Sequence, residues 1–284
     1  MIGVMGGSGL YHIDGMDIKQ RKRITTPFGN PSGEFIIGKL EGSDIAFLPR
    51  HDRGHVISPT KINYRANIYG MKQLGVDRII SITACGSLKE ELKPMDFVIP
   101  LQFVDRTNQA RQYTFFDDGI VAHISFAHPI CEDFADIVYE AAAGEGLNVH
   151  LGGTYINMEG PQFSTLAESN LYRSWGMDII GMTNMTEARL AREAEICYVS
   201  LASVTDYDCW RETSESVNVD MIVANLTKNV ENAKKILKKV ITLISGERTC
   251  ACKDALKYAI LTDPRFISEK TKDRLSLIIG KYVK

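Results

Sequence analysis

The sequence predicts an α/β fold, a single domain with a mixed central sheet covered by helices. Short apolar runs alternate along the chain with longer segments whose apolar residues recur at helical spacing. Ser8, Thr83, Met182, Thr183 and Asp206 all fall where predicted strands end, and open α/β sheets bind ligands at the carboxyl ends of their strands. No Pro/Gly/Ser-rich linker or charge run divides the 284 residues, so one domain is expected over 1–284, with a helical C-terminal segment over 217–284.

The elements follow in order. Residues 2–5 are apolar and run into Gly6-Gly7-Ser8-Gly9, which reads as a buried strand feeding a tight loop. Residues 34–49 read as a strand pair around Glu41-Gly42-Ser43. Tyr64, Ile68, Met71 and Leu74 give helical spacing over 60–74, and a strand over 78–83 ends in Ala84-Cys85-Gly86-Ser87. A strand over 97–101 is placed at a sheet edge because of Pro100. Helices are predicted over 131–147, 165–175 and 186–194, with a strand over 178–183 between the last two. Residues 196–204 form an apolar strand running into Thr205-Asp206-Tyr207-Asp208. The longest helix, over 217–244, carries Ile222, Leu226, Val230, Ala233, Leu237 and Ile244 along one stripe, and helices close the chain.

Composition excludes some classes. A formal net charge of −2 gives no electrostatic case for nucleic acid. The N-terminus lacks a basic region followed by an apolar stretch, and no apolar run approaches the roughly 20 residues of a membrane span, so a cytoplasmic protein without membrane contact is expected. Of six cysteines, Cys85, Cys131, Cys197 and Cys209 are scattered and read as small buried hydrophobes; only Cys250-Ala251-Cys252 looks like a pair.

Several motifs carry chemistry, each with a plainer alternative. Gly6-Gly7-Ser8-Gly9-Leu10 lets backbone approach an anion and adds a hydroxyl, or is simply a tight turn. It is not a dinucleotide fingerprint, since His12 stands where glycine is required. Arg50-His51 offers a charged planar fork and a second donor suited to phosphate, or is a solvated basic loop. Thr83 and Thr183 would complete an oxyanion cradle with Ser8 and Arg50, although isolated threonines signify nothing. His55 and His123, taken alone, read as structural. Asp206 and Asp208 leave a buried strand, where carboxylates are costly unless they meet water, a partner or a ligand. With no companion cluster at ligand spacing, no metal site is expected there.

In order along the chain, Gly6-Gly7-Ser8-Gly9-Leu10, Thr26-Pro27-Phe28-Gly29, Arg50-His51, Thr83-Ala84-Cys85-Gly86-Ser87, Met158-Glu159-Gly160-Pro161-Gln162-Phe163-Ser164, Gly181-Met182-Thr183 and Thr205-Asp206-Tyr207-Asp208-Cys209-Trp210 resemble the trimeric purine nucleoside phosphorylase family, and within it the 5′-methylthioadenosine phosphorylases. The resemblance spans residue 3 to about 244. It implies phosphate-dependent cleavage of 5′-methylthioadenosine, the alternatives being adenosine or 6-oxopurine nucleosides such as inosine and guanosine, and, in another class, nucleoside binding without catalysis. It implies that Ser8, Arg50, His51, Thr83, Ala84 and Thr183 hold phosphate and that Met182 lies against the ribose. Phe163 would stack on the base with Ser164 beside it, and Asp206 and Asp208 would face the purine N7 and 6-amino group. His55, Val219, Ile222 and Val223 would line the 5′ pocket, and His123 would come from the neighbouring subunit of a homotrimer or a dimer of trimers. No cofactor is implied, inorganic phosphate being a co-substrate. Gln162 and Thr186 depart from the arginine and proline of many relatives. The Cys250/Cys252 spacing resembles a redox-sensitive pair in some thermophilic members, which would close a small, labile ring; two reduced thiols are the alternative.

Overall fold

The computed structural model describes the chain except residues 8, 9, 11, 12, 109, 212–218, 245 and 284, and the side chains of 219–224. Its centre is a mixed sheet of eleven strands in the order β2-β3-β4-β1-β5-β10-β9-β7, where β3 is Phe35–Leu40 and β10 is Ile179–Gly181, with β11 pairing β5 and β6, and β8 pairing β6. The fold is the predicted α/β class. Strands β1 (Ile2–Gly6), β4 (Ser43–Pro49), β5 (Arg78–Ser87) and β11 (Cys197–Asp206) form its parallel middle. They are apolar runs because helices cover both faces: β11 is buried at all ten positions, and a run without alternation is what double burial selects.

Helix α1 (Tyr64–Gln73) starts four residues later and α2 (Glu132–Gly144) ends three residues earlier than predicted, whereas α3 (Leu166–Ser174), α4 (Asn184–Glu193) and α5 (Val219–Leu243) fall within two residues of the predicted limits. Asn63 caps α1 by accepting from the Ala66 N–H, and Thr165 and Glu168 form a capping box on α3. A C-terminal α6 (Glu269–Ile279) follows two short 3-10 turns.

Four strands escape the sequence reading. β2 (Asp17–Lys22) is an exposed, charged edge with no apolar alternation. β7 (Gln102–Arg106), β8 (Val149–Leu151) and β9 (Thr154–Met158) are short and gain their strand character from pairing. The strand over 97–101 is not at an edge: β6 (Phe97–Ile99) pairs β11 on one side and β8 on the other. It stops before Pro100, so the missing proline N–H interrupts no ladder.

All six cysteines are free thiols, and four of them gather in space. Cys131, Cys197, Cys250 and Cys252 place their sulfurs within 4.8 Å of one another.

Candidate active site

β1 stops at Gly6, opposite Ile82, but β5 runs on to Ser87, where β10 (Ile179–Gly181) pairs with Gly86 and Ser87. Residues 83–85 therefore have β11 on one side and, among the described residues, no strand on the other. Strand residues turn their amide groups alternately to the two edges. The Ile82 carbonyl accepts the Gly7 N–H at 3.3 Å on the β1 side, whereas the Thr83 and Cys85 carbonyls accept the Ser203 and Thr205 hydroxyls on the β11 side. Ala84 thus turns its backbone into the gap. The gap borders a cavity of about 370 Å³, within the range of small-molecule sites.

One end of the cavity suits an anion. Arg50, Thr83, Ala84 and Thr183 line it together with Gly7. Arg50 is 1% exposed, and its fork is not open to a ligand: Nε and Nη2 both bond Glu187, which is itself fully buried. Nη2 also reaches Ser81 Oγ at 2.5 Å, and Nη1 reaches the Ile82 carbonyl at 3.3 Å. Glu187 Oε2 accepts in addition from Ser81 Oγ at 2.6 Å and Tyr198 at 2.9 Å. What remains for a ligand is the second Nη1 hydrogen. A Cβ on Gly7 would lie 3.4 Å from Nη1, so this edge faces the glycine loop. Thr183 stands at the N-terminus of α4, where its hydroxyl makes no cap bond but donates to Asn184 Oδ1 at 3.2 Å beside the positive end of the helix.

His51 also lines the cavity, stacked 4.0 Å from His55. Its Nδ1 is 2.7 Å from the Ile57 carbonyl, so Nδ1 carries the proton. Burial, and then the Arg50 charge, push its pKa down to about 3. The ring is therefore neutral at pH 7 and presents Nε2 as an acceptor, not as the donor expected from sequence.

Asp206 and Asp208, 8% and 7% exposed, line the same cavity. Asp206 Oδ2 accepts the Thr205 hydroxyl at 2.7 Å, and Oδ1 accepts the Asp208 N–H at 2.8 Å. These bonds favour the ionised form, but burial outweighs them and raises the Asp206 pKa, with the Asp208 charge adding to the rise. Burial likewise raises Asp208. Gly86 pairs with Asp206 in the sheet, and a Cβ there would lie 3.1 Å from Asp206 Oδ1 and 3.0 Å from Ile180. Glycine at 86 is what lets the carboxylate sit against β5.

Phe163 and Met182 complete the wall, and Phe163 is 55% exposed, an unpaired aromatic face at the cavity. The loop before Phe163 is held by Arg111. Its Nε bonds Glu159 Oε1 at 3.0 Å, Nη2 bonds the Glu159 carbonyl at 2.8 Å, and Nη1 bonds the Met182 carbonyl at 2.6 Å. Thr60 adds a bond to the same Glu159 oxygen at 2.5 Å.

The remaining expected residues divide. Ser164 stands behind the lining residues: its side chain bonds Asp208, and its carbonyl accepts the Cys209 thiol at 3.3 Å. His123 is exposed and lies off this chain's cavity, its N–H bonded to the Ala259 carbonyl. Ser8 and the side chains of Val219, Ile222 and Val223 lie outside the described residues. One and two turns further along α5, Leu226, Asn229 and Val230 line the cavity with Leu10 and Pro59. Glu187, Arg111 and Gly86 were not singled out in the sequence for the site. Their roles depend on partners 48 to 137 residues away, which no local pattern reveals.

The sequence model of the Phosphorylase superfamily matches residues 1–242. The chain belongs to that superfamily. A relative from Geobacter sulfurreducens, an S-methyl-5′-thioadenosine phosphorylase, is 57% identical over 100% of this chain and 99% of its own length. One from Koribacter versatilis with the same description is 56% identical over 99% and 96%. Such relatives place the chain in the S-methyl-5′-thioadenosine phosphorylase family. Among solved structures, a methylthioadenosine phosphorylase from an antarctic soil metagenomic library superposes with a TM-score of 0.93 at 47% identity, covering 98% of both chains. A variant of the adenosine/methylthioadenosine phosphorylase of Schistosoma mansoni, in complex with methylthioadenosine, superposes with a TM-score of 0.84 at 36% identity, covering 90% of this chain and 95% of that one.

Proposed function

We propose that this phosphorylase cleaves 5′-methylthioadenosine with inorganic phosphate, giving adenine and 5-methylthioribose 1-phosphate. The observation that carries the substrate class is the pair of buried carboxylates, Asp206 and Asp208, in the wall of the cavity that also holds Arg50, Thr83 and Thr183. An adenine-type base offers N6–H donors that a carboxylate accepts, whereas a 6-oxopurine offers an acceptor to an ionised carboxylate. The family relatives support the methylthio substituent over the 5′-hydroxyl of adenosine.

In this reading Asp206, whose pKa burial raises, gives a proton to N7 as the glycosidic bond breaks, and Asp208 accepts from the 6-amino group. Phe163 stacks on the base and Met182 lies against the ribose. Arg50 Nη1, the Ala84 N–H, the Thr83 and Thr183 hydroxyls and the α4 N-terminus hold hydrogenphosphate beneath the anomeric carbon, with Ser8 from the glycine loop. The phosphate hydroxyl donates to the neutral His51 Nε2. The bound dianion stabilises the oxocarbenium-like sugar and then attacks it. The proton that leaves the phosphate matches the one the base gains, so neither metal nor organic cofactor is called for. His55, Leu226 and Val230 flank the 5′ substituent. The reading includes a cytoplasmic homotrimer, or a dimer of trimers, in which His123 serves a neighbouring subunit.

Methylthioadenosine, adenosine and inosine, each with and without phosphate, test this directly. Release of adenine only with phosphate, fastest from methylthioadenosine, is expected. Equal or faster cleavage of inosine would overturn the base assignment, and no cleavage of any would leave a binding protein.

A further inference from the structure

We propose that Cys131, Cys197, Cys250 and Cys252 form a structural tetrathiolate site for zinc(II), separate from the catalytic cavity. The four residues come from three stretches of chain. Cys131 is the N-cap of α2, Cys197 opens β11, and Cys250 and Cys252 flank Ala251 at the start of the 3-10 turn Ala251–Asp254. Three are buried and Cys250 is half-buried.

The distances suit a metal. Zinc–thiolate bonds of about 2.3 Å in a tetrahedron place the sulfurs about 3.8 Å apart. The four sulfurs lie within 4.8 Å of one another, and the Cys197–Cys250 pair is at 3.2 Å, beyond the roughly 2.0 Å of a disulfide bond. Adjustments of about 1 Å or less close the tetrahedron. Four sulfurs and no oxygen ligand select a thiophilic ion, and tetrahedral sulfur coordination favours zinc among common divalent ions.

The charge is also provided for. Binding converts four thiols to thiolates, M²⁺ + 4 RSH → [M(SR)₄]²⁻ + 4 H⁺, with no change of oxidation state. The product carries two negative charges. Arg248 is tied by Nη1 to the Asp77 carbonyl at 3.1 Å and the Glu195 carbonyl at 2.8 Å, and the same nitrogen lies 3.8 Å from Cys197 Sγ. The positive end of the thirteen-residue α2 points at Cys131, whose side chain makes no cap bond.

The site would be a staple. Cys250 and Cys252 lie beyond the 1–242 superfamily match, and the ion would tie this C-terminal segment to α2 and the sheet. Cys197 and Asp206 occupy opposite ends of β11, about 30 Å apart at strand rise, so the ion would not touch the reacting atoms.

The test uses the full chain, reduced and stripped of metal, titrated anaerobically with cobalt(II). A thiolate-to-cobalt charge-transfer band with intense tetrahedral ligand-field bands, saturating at one ion per chain and erased by one equivalent of zinc, is expected. Cys250→Ser, which removes the half-buried ligand, should weaken cobalt binding by more than the roughly 10–100-fold typical of outer-shell changes, with phosphorolysis unchanged. Octahedral cobalt spectra in the wild type, or bands that Cys250→Ser leaves intact, would overturn the proposal. So would protein isolated with disulfides among these cysteines that, once reduced, binds no cobalt.

Discussion

Replacing Glu187 with glutamine tests how the anion end is built. The carboxylate takes four donors: Arg50 Nε on Oε1, and Arg50 Nη2, Ser81 Oγ and Tyr198 OH on Oε2. An amide with its oxygen at the Oε2 position keeps three of them and turns an NH₂ against the Arg50 Nε–H. One charge-assisted bond, worth about 1.5–3 kcal/mol, is lost, and the buried guanidinium loses its counter-charge. Breaking a buried pair costs about 3–5 kcal/mol, so Glu187→Gln should lose about 3 kcal/mol, a large share of the roughly 5–15 kcal/mol typical of a native fold. Phosphate should recover part of that loss by supplying the missing negative charge beside Arg50. The assay is urea unfolding of both proteins with and without saturating phosphate. The midpoint should fall in the variant, and phosphate should raise it more in the variant than in the wild type. An unchanged midpoint without phosphate would refute the ion-pair account. A loss that phosphate does not reduce would show that the Arg50 charge does not reach the anion end.

Asp206→Asn should cut kcat/KM for methylthioadenosine by about 10²–10⁴-fold, since the amide cannot release a proton, and should raise the relative preference for inosine; steady-state kinetics on both nucleosides decides, and full activity with no shift in preference refutes the acid. Because burial raises the Asp206 pKa, wild-type kcat/KM should fall as pH rises through that value, and this limb of the pH–rate profile should vanish in Asp206→Asn while the wild type retains it. Phe163→Ala should raise the nucleoside KM by the roughly 1–3 kcal/mol of base stacking and leave the phosphate KM alone; equal effects on both would place Phe163 elsewhere. Gly86→Ala, which sets a Cβ 3.1 Å from Asp206 Oδ1, should lower kcat far more than it raises either KM, at a stability cost of about 1–3 kcal/mol measured by urea unfolding; unchanged kcat would show that the close approach is dispensable.

These tests separate what local sequence carries from what it does not. The parallel middle of the sheet was legible because double burial makes β1, β5 and β11 largely apolar runs, and α1 to α5 were legible because each buries one face and leaves an apolar stripe at helical spacing. β2 was illegible because an exposed edge has no apolar face to alternate, and β6 was misplaced because Pro100 was weighed as part of the strand. In the candidate site, the residues that would touch ligand were legible because they sit in short motifs at strand ends. Arg50, Thr83, Thr183 and Asp206 line one cavity because β4, β5 and β11 run parallel and β10, antiparallel to β5, ends beside residues 83–85 from the other direction.

The groups that hold those residues in place were not legible, and the reason is topological. Glu187 reads as an ordinary first-turn acid of α4, where any acidic residue suits the helix dipole. Only the packing of α4 against β5 and β11 turns it inward to Ser81 and Tyr198 and onto Arg50, 137 residues earlier. Arg111 likewise gains meaning from the Glu159 and Met182 carbonyls it joins, and Cys131 from the sulfurs of Cys197, Cys250 and Cys252. In each case one side chain meets several partners remote in sequence, so a single substitution strands a buried charge or polar group rather than removing one contact. That is why Glu187, which would touch no substrate, is expected to cost more stability than Asp206, which would touch the base.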